Sequence, residues 1–141
     1  MISITLRCTP PNTTAQMKRV RVVHGRPVFF HGAKMKREES TWAALLAPYV
    51  PTEPMDGPLS LSLRMVYPHL KATPKRDIGA LRPKVTIPDC DGAAKHLIDQ
   101  LTRLRFIVDD SRIADLRIQK WHGPESAVGI EIEIAPFGAK E

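Results

Sequence analysis

Apolar positions recur along the chain with two distinct periods, and these divide it into strands and helices. Ile2, Ile4 and Leu6 alternate with Ser3 and Thr5, the period-two pattern of a half-buried strand. Leu59, Leu61, Leu63 and Met65 alternate with Ser60, Ser62 and Arg64, the clearest strand signal present. Short apolar runs at 20–23 and 27–30 flank Gly25-Arg26 and predict two further strands. Met35, Trp42, Ala43, Leu45 and Leu46 leave Lys34, Arg37, Glu38 and Thr41 on a polar side, which predicts a helix over 33–48. Pro48, Pro51, Pro54 and Pro58 stop it. The strongest helix runs over 89–105, where Ala93, Ala94, Leu97, Ile98, Leu101 and Leu104 form one face. Pro88 and the Asp89/Asp91 pair supply its start signal.

Phe106-Ile107-Val108 then leads into Asp109-Asp110-Ser111, and strands are predicted at 114–121 and 128–134. In the last of these Ile130, Ile132 and Ile134 stand opposite Glu131 and Glu133. His122-Gly123-Pro124-Glu125 is turn material, so these two strands are expected to pair as an antiparallel hairpin. Residues 67–88 read as a long, proline-punctuated basic loop, either functional or a disordered insertion. The expected architecture is a single domain over 1–141 of α/β class (α+β type), a mixed β-sheet with two main helices packed on it.

With 141 residues, 43% of them hydrophobic, the chain can bury one core. No apolar run approaches a membrane span, and the first residues lack the basic-then-apolar pattern of a signal peptide. The two cysteines, Cys8 and Cys90, are too few for a disulfide framework or a four-thiolate zinc site, so a reduced cytoplasmic protein is expected. His24, His31, His69, His96 and His122 show no zinc spacing, and no phosphate-binding or dinucleotide glycine loop occurs. The net charge of +6 is unevenly spread. Residues 1–88 hold 14 basic and 5 acidic groups, whereas 89–141 hold 7 and 10. A basic half joined to an acidic half suggests phosphate attraction beside a place that collects carboxylates.

That place is the start of the second helix. Asp91 and Lys95, four residues apart, project to nearly the same side, with Asp99 continuing the polar line opposite the leucines. Asp89 falls at the N-cap, and Asp109-Asp110 follows an apolar segment that returns along the sheet. Carboxylates gathered in one place repel unless a hard cation joins them; Mg²⁺ takes one or two carboxylates, waters and phosphate oxygens. A lysine beside them can stabilise charge developing on a phosphate. The combination suits metal-assisted phosphodiester hydrolysis. The plain alternative is that Asp89 caps a helix, Asp109-Asp110-Ser111 makes a turn and Asp91–Lys95 is a surface pair.

The spacing Asp89-x-Asp91-x-x-x-Lys95, the amphipathic helix through Asp99 and the terminal Phe106-Ile107-Val108-Asp109-Asp110 resemble the RusA family of Holliday-junction resolvases, the crossover junction endodeoxyribonucleases common in phages and prophages. The opening strand with Pro10-Pro11-Asn12 is also similar to the family's. The specific match covers 89–115 and a looser one most of the chain. The resemblance implies Asp89, Asp91 and Asp110 as metal-binding catalytic carboxylates, Lys95 as the catalytic lysine, and Asp99 and Asp109 as supporting positions. It further implies Mg²⁺ (with Mn²⁺ as substitute), four-way DNA junctions as substrate, a homodimer, and the cytoplasm of a bacterium or phage-infected host. Gly92 departs from the family's usual Asn, removing an amide that could orient a neighbouring aspartate.

Lys18, Arg19, Arg21 and Arg26, with Lys71, Lys75, Arg76, Arg82 and Lys84, form the candidate phosphate-contacting set; singly, each also fits a solvated surface charge. Trp42 is expected in the core and Cys90 as a small inward side chain, since Mg²⁺ does not favour thiolate. Two other classes stay open: a catalytically weakened junction-binding protein, and a basic partner-binding domain without catalysis.

Overall fold

A computed structural model describes residues 1–11, 18–31 and 33–138, with the side chains of 18–23, 27–31 and 33–39 outside the description. The elements in chain order are β1 (Ile2–Leu6), β2 (Lys18–Val23), β3 (Arg26–His31), α1 (Ala33–Leu46), β4 (Leu59–Pro68), β5 (Arg82–Pro83), α2 (Cys90–Arg103), β6 (Ile113–Gly123) and β7 (Gly129–Pro136). Five strands form a mixed sheet in the order β1-β7-β4-β6-β5, and β2 and β3 form a separate hairpin. The expected class, a mixed sheet with two main helices, is the one observed.

The alternation read in β4 is what puts it at the centre. Leu59, Leu61, Leu63 and Met65 are all buried, and the strand pairs on both sides, antiparallel to β7 and parallel to β6. Ile130, Ile132 and Ile134 of β7 and Ile4 and Leu6 of β1 extend the same apolar layer. Trp42 and Leu46 of α1 and Leu97 and Leu101 of α2 close over it in one core. Gly129 is required where β7 meets β1. Its φ is +158°, and a Cβ there would stand 2.5 Å from the Leu6 carbonyl oxygen.

Two expectations are corrected. β6 and β7 do not form a hairpin, because β4 lies between them. The chain does reverse after β6, through a 3-10 turn at Glu125–Ala127, but the connection steps over one strand. Strand polarity explains the choice: β4, buried on alternate positions throughout, takes the interior place, while β6, exposed from Ala114 to Arg117, takes a place near the edge. Residues 67–88 are also not one loop. β4 runs on to Pro68, Lys75–Asp77 makes a 3-10 turn, and β5 pairs antiparallel with Trp121 and His122 of β6.

Candidate active site

α2 begins where the sequence places it. Asp89 is the N-cap, with extended backbone (φ −69°, ψ 147°), and its carbonyl accepts from the Ala93 N–H at 2.9 Å. Its carboxylate makes no capping bond. The ordinary reason for an aspartate at this position is therefore not the one operating here. From Asp91 onward the helix divides by side. Ala93, Ala94, Leu97 and Leu101 are buried, while Asp91, Lys95 and Asp99 are exposed along one line. His96 is buried with them.

The second carboxylate pair is delivered by an apolar anchor. Phe106 and Ile107 are fully buried, and Met55 bonds both sides of Ile107, its N–H to the Phe106 carbonyl (2.8 Å) and its carbonyl to the Val108 N–H (3.0 Å). The chain leaves this anchor at Asp109, which caps a 3-10 turn over Asp110–Arg112 by accepting from the Ser111 N–H at 3.0 Å. Bonds from Ser111, side chain and N–H together, hold the Asp109 carboxyl below its ordinary range. Arg112 donates to Asp56 at 2.6 Å and to the Ser111 hydroxyl at 3.1 Å, which pins the turn to the 55–57 segment. The Asp56 carboxyl is held low, first by that arginine bond and then by the Gly57 N–H.

Between the exposed flank of α2 and the start of β6 lies an open cleft of about 530 Å³. Asp91, Lys95 and Asp99 line it from the helix, and Asp110 and Ser111 from the turn; Ala94, Ile98, Ile113, Ala114 and Leu116 supply apolar walls. The structure thus brings together Asp91, Lys95, Asp99 and Asp110, residues up to 19 positions apart in sequence. Asp89 is exposed two residues before Asp91 and outside the cleft lining, and Asp109 is turned to its cap. Among the described residues, Asp91, Lys95 and Asp99 make no hydrogen bond or ion pair with one another. The surface-pair reading of Asp91 with Lys95 is accordingly not what the structure contains.

A divalent cation can be tested against this donor set. Among the described residues no three His, Cys, Asp or Glu side chains stand together as a metal cluster. Asp91 and Asp110 nevertheless present two hard oxygen donors to one open cleft, with no thiolate on its lining. Two carboxylates suffice for Mg²⁺, which keeps several waters and completes its shell with substrate phosphate oxygens. The residues fit that ion and not a caged one.

The basic candidates fall into different classes. Lys18, Arg19 and Arg21 lie on β2, their side chains outside the described residues. Arg26 is exposed at the start of β3, and Lys71, Lys75, Arg76 and Arg82 are exposed between β4 and α2. Arg76 and Arg82 each stand 3.9 Å from Asp77, as solvent-facing pairs. Lys84 is different. It is half-buried, 4.6 Å from the centre of the Tyr67 ring, and burial together with nearby Lys120 lowers its pKa.

Sequence reasoning missed Asp56 and Arg112, which join across 56 positions, and Lys120, which donates at 2.7 Å to the carbonyls of both Thr86 and Pro88. Neither interaction has a local signature: one is long-range and the other is to backbone.

Comparison with known proteins is consistent in direction. The family described as "Endodeoxyribonuclease RusA" matches residues 9–135. The chain is 28% identical over 120 residues to the crossover junction endodeoxyribonuclease rusA of Lactococcus phage r1t, covering 85% of this chain and 88% of that one. It is 30% identical over 107 residues to the uncharacterised protein YqaN of Bacillus subtilis (strain 168), covering 71% and 74%.

Proposed function

The chain belongs to the RusA endodeoxyribonuclease family, and from that membership we propose that it is a Mg²⁺-dependent, structure-selective nuclease that resolves four-way DNA junctions by paired phosphodiester hydrolysis. The observation that carries this reading is the shared cleft of Asp91, Lys95 and Asp110. Their placement takes two separately anchored elements, a helix flank and a braced turn, and a set of ordinary caps would have no reason to face one another.

In this reading Asp91 and Asp110 hold the cation, with Asp89, free of any capping bond, available beside them. The ion, when bound, supplies Lewis-acid stabilisation of phosphate oxygens and a water activated as nucleophile. Lys95 contributes positive charge where negative charge builds on the phosphate, and does so from a wall it shares with Ala94 and Ile98. Asp109 and Arg112 hold the turn that aims Asp110. No helix among the described residues is long and apolar enough to cross a membrane. Resolution needs two cuts related by near-twofold symmetry, which a homodimer with one such cleft per subunit provides.

A second reading, a junction-binding protein with weakened catalysis, is favoured by one feature: Gly92, buried in the first turn of α2 where a side-chain amide is expected. A nicking assay on a four-way junction with Mg²⁺ and with Mn²⁺ separates the two. The nuclease reading expects symmetrical cuts that disappear in EDTA and in Asp110→Asn. Binding without cutting under both metals assigns the second.

A further inference from the structure

The cleft has two unlike halves. Asp91, Lys95, Asp99 and Asp110 carry its charge, and beside them runs an aliphatic wall whose largest members are Ile98 on α2 and Leu116 on β6. Leu116 is 47% exposed. Hydrolysis itself needs no such wall, because carboxylates, a cation and a lysine act on a phosphate whichever sugar it joins.

The wall is part of how the sheet ends. Leu116 pairs in register with Leu61, which is fully buried in the core. Leu116 escapes that burial because β5 reaches only Trp121 and His122, so among the described residues no strand lies beyond β6 from Ile113 to Gln119. On the other side, Ala94 and Ile98 each stand one residue before a charged member of the cleft, Lys95 and Asp99. Ile98 and Ile113 pack against the buried core, which fixes the shape of the wall.

The charged half selects what the apolar half must meet. A phosphodiester held by Asp91, Asp110 and Lys95 carries a sugar two covalent bonds from its phosphorus on either side, so a sugar fills the adjoining space. Ala94, Ile98, Ile113, Ala114 and Leu116 offer that sugar no side-chain donor or acceptor. Ser111, the neutral polar residue on the lining, has its hydroxyl engaged by Arg112 at 3.1 Å. A 2′-methylene loses nothing against such a surface, whereas a 2′-hydroxyl loses its water and gains no partner. That hydroxyl is the group by which a protein tells RNA from DNA.

Resting on the nuclease reading above, we propose that Ile98 and Leu116 form a sugar subsite that selects deoxyribose over ribose beside the bound phosphate. Rejection of an added hydroxyl by an apolar surface has a ceiling of about 10²-fold. At least tenfold is expected here.

The test uses the full chain and three four-way junctions. One is all deoxyribose. The second carries ribonucleotides at the three positions on each side of the branch in two opposed strands. The third carries 2′-fluoro nucleotides there, which share the pucker of ribose and lack its hydroxyl. Affinity is measured in Ca²⁺, a hard cation for the same oxygens with looser geometry, and cutting in Mg²⁺. The parent should bind the ribose junction at least tenfold more weakly than the deoxyribose one, and the fluoro junction within threefold of it. Leu116→Asn, which supplies a donor and an acceptor, should reduce that ratio to threefold or less, whatever its absolute affinity; Leu116→Val should keep it. Because Leu116 is exposed, both variants should melt as the parent does. A parent that binds ribose and deoxyribose alike overturns the subsite. So does a fluoro junction as weak as the ribose one, which assigns the effect to pucker, or a Leu116→Asn protein with the parent's ratio. The two claims separate in the parent. A tenfold affinity ratio without cutting overturns the nuclease reading and upholds the subsite; equal cutting of ribose and deoxyribose junctions overturns the subsite alone.

Discussion

Two neighbouring groups of charges in this protein have similar composition and opposite construction. In the brace, Asp56, Asp109 and Arg112 are consumed by partners: arginine to carboxylate at 2.6 Å, carboxylate to the Ser111 N–H at 3.0 Å. In the cleft, Asp91, Lys95 and Asp99 face a common space without joining one another, and Asp110 lines the same space from the turn. Charges that satisfy each other hold a turn in place, while charges left open to a cleft have their field free for something else. Residue type alone does not separate the two groups; partnering does.

The largest way to break this comparison is to neutralise the open group. Asp110→Asn or Asp91→Asn should reduce junction cleavage by ~10³-fold or more, because both a charge and an aimed donor are removed. Junction affinity in EDTA and melting temperature should stay near those of the parent. Equal cleavage by parent and variants under Mg²⁺ would place the chemistry elsewhere.

Lys95→Met comes next, with an expected loss of about 10²-fold in kcat and little change in KM, the split that marks an interaction made in the transition state. A rise in KM alone would make Lys95 a binding cation.

Removing exposed cations should act more mildly. Lys71→Ala with Lys75→Ala should weaken junction and duplex binding alike, and reduce the slope of log affinity against log salt by roughly one for each phosphate no longer neutralised. An unchanged slope would remove these residues from the interface.

The smallest effect is expected from the brace. Asp56→Ala should speed amide exchange at Ser111 and Arg112 and lower kcat by about threefold through poorer aim of Asp110, with global melting barely moved, as for exposed pairs in general. The pH dependence has a definite sign. Asp56 and Asp109 are held below their ordinary range, so their contribution is complete above the unfolded carboxyl value of about 3.9 and is lost as pH falls through the lower folded values. Protection of the 110–112 amides should therefore fall in acid, and in Asp56→Ala part of that pH dependence should be missing.

Much of this is legible in the sequence, and what is not has identifiable causes. Alternation in β1, β4 and β7 and the leucine face of α2 report burial, and burial is what periodicity measures. Periodicity says which face a strand buries, not which strand lies beside it, and so β6 and β7 read as a hairpin although β4 divides them. The polar line Asp91, Lys95, Asp99 is visible from helical spacing, and the return of Asp110 from the buried Phe106-Ile107. The different duties of Asp109 and Asp110 are not, since adjacent identical residues differ only by the direction a turn gives them. β5 is two residues long and depends on a partner some 40 positions away. Lys120 bonds backbone carbonyls, which every residue possesses, so no pattern in the sequence marks its targets.

The central claim is that Asp91 and Asp110 serve one ion. A crystal soaked in Mn²⁺ and measured at the manganese absorption edge tests it directly. An anomalous peak within coordinating distance of both carboxylates, abolished in Asp110→Asn, is the predicted result; a well-ordered cleft with no peak, or a peak bound away from these two side chains, would contradict it.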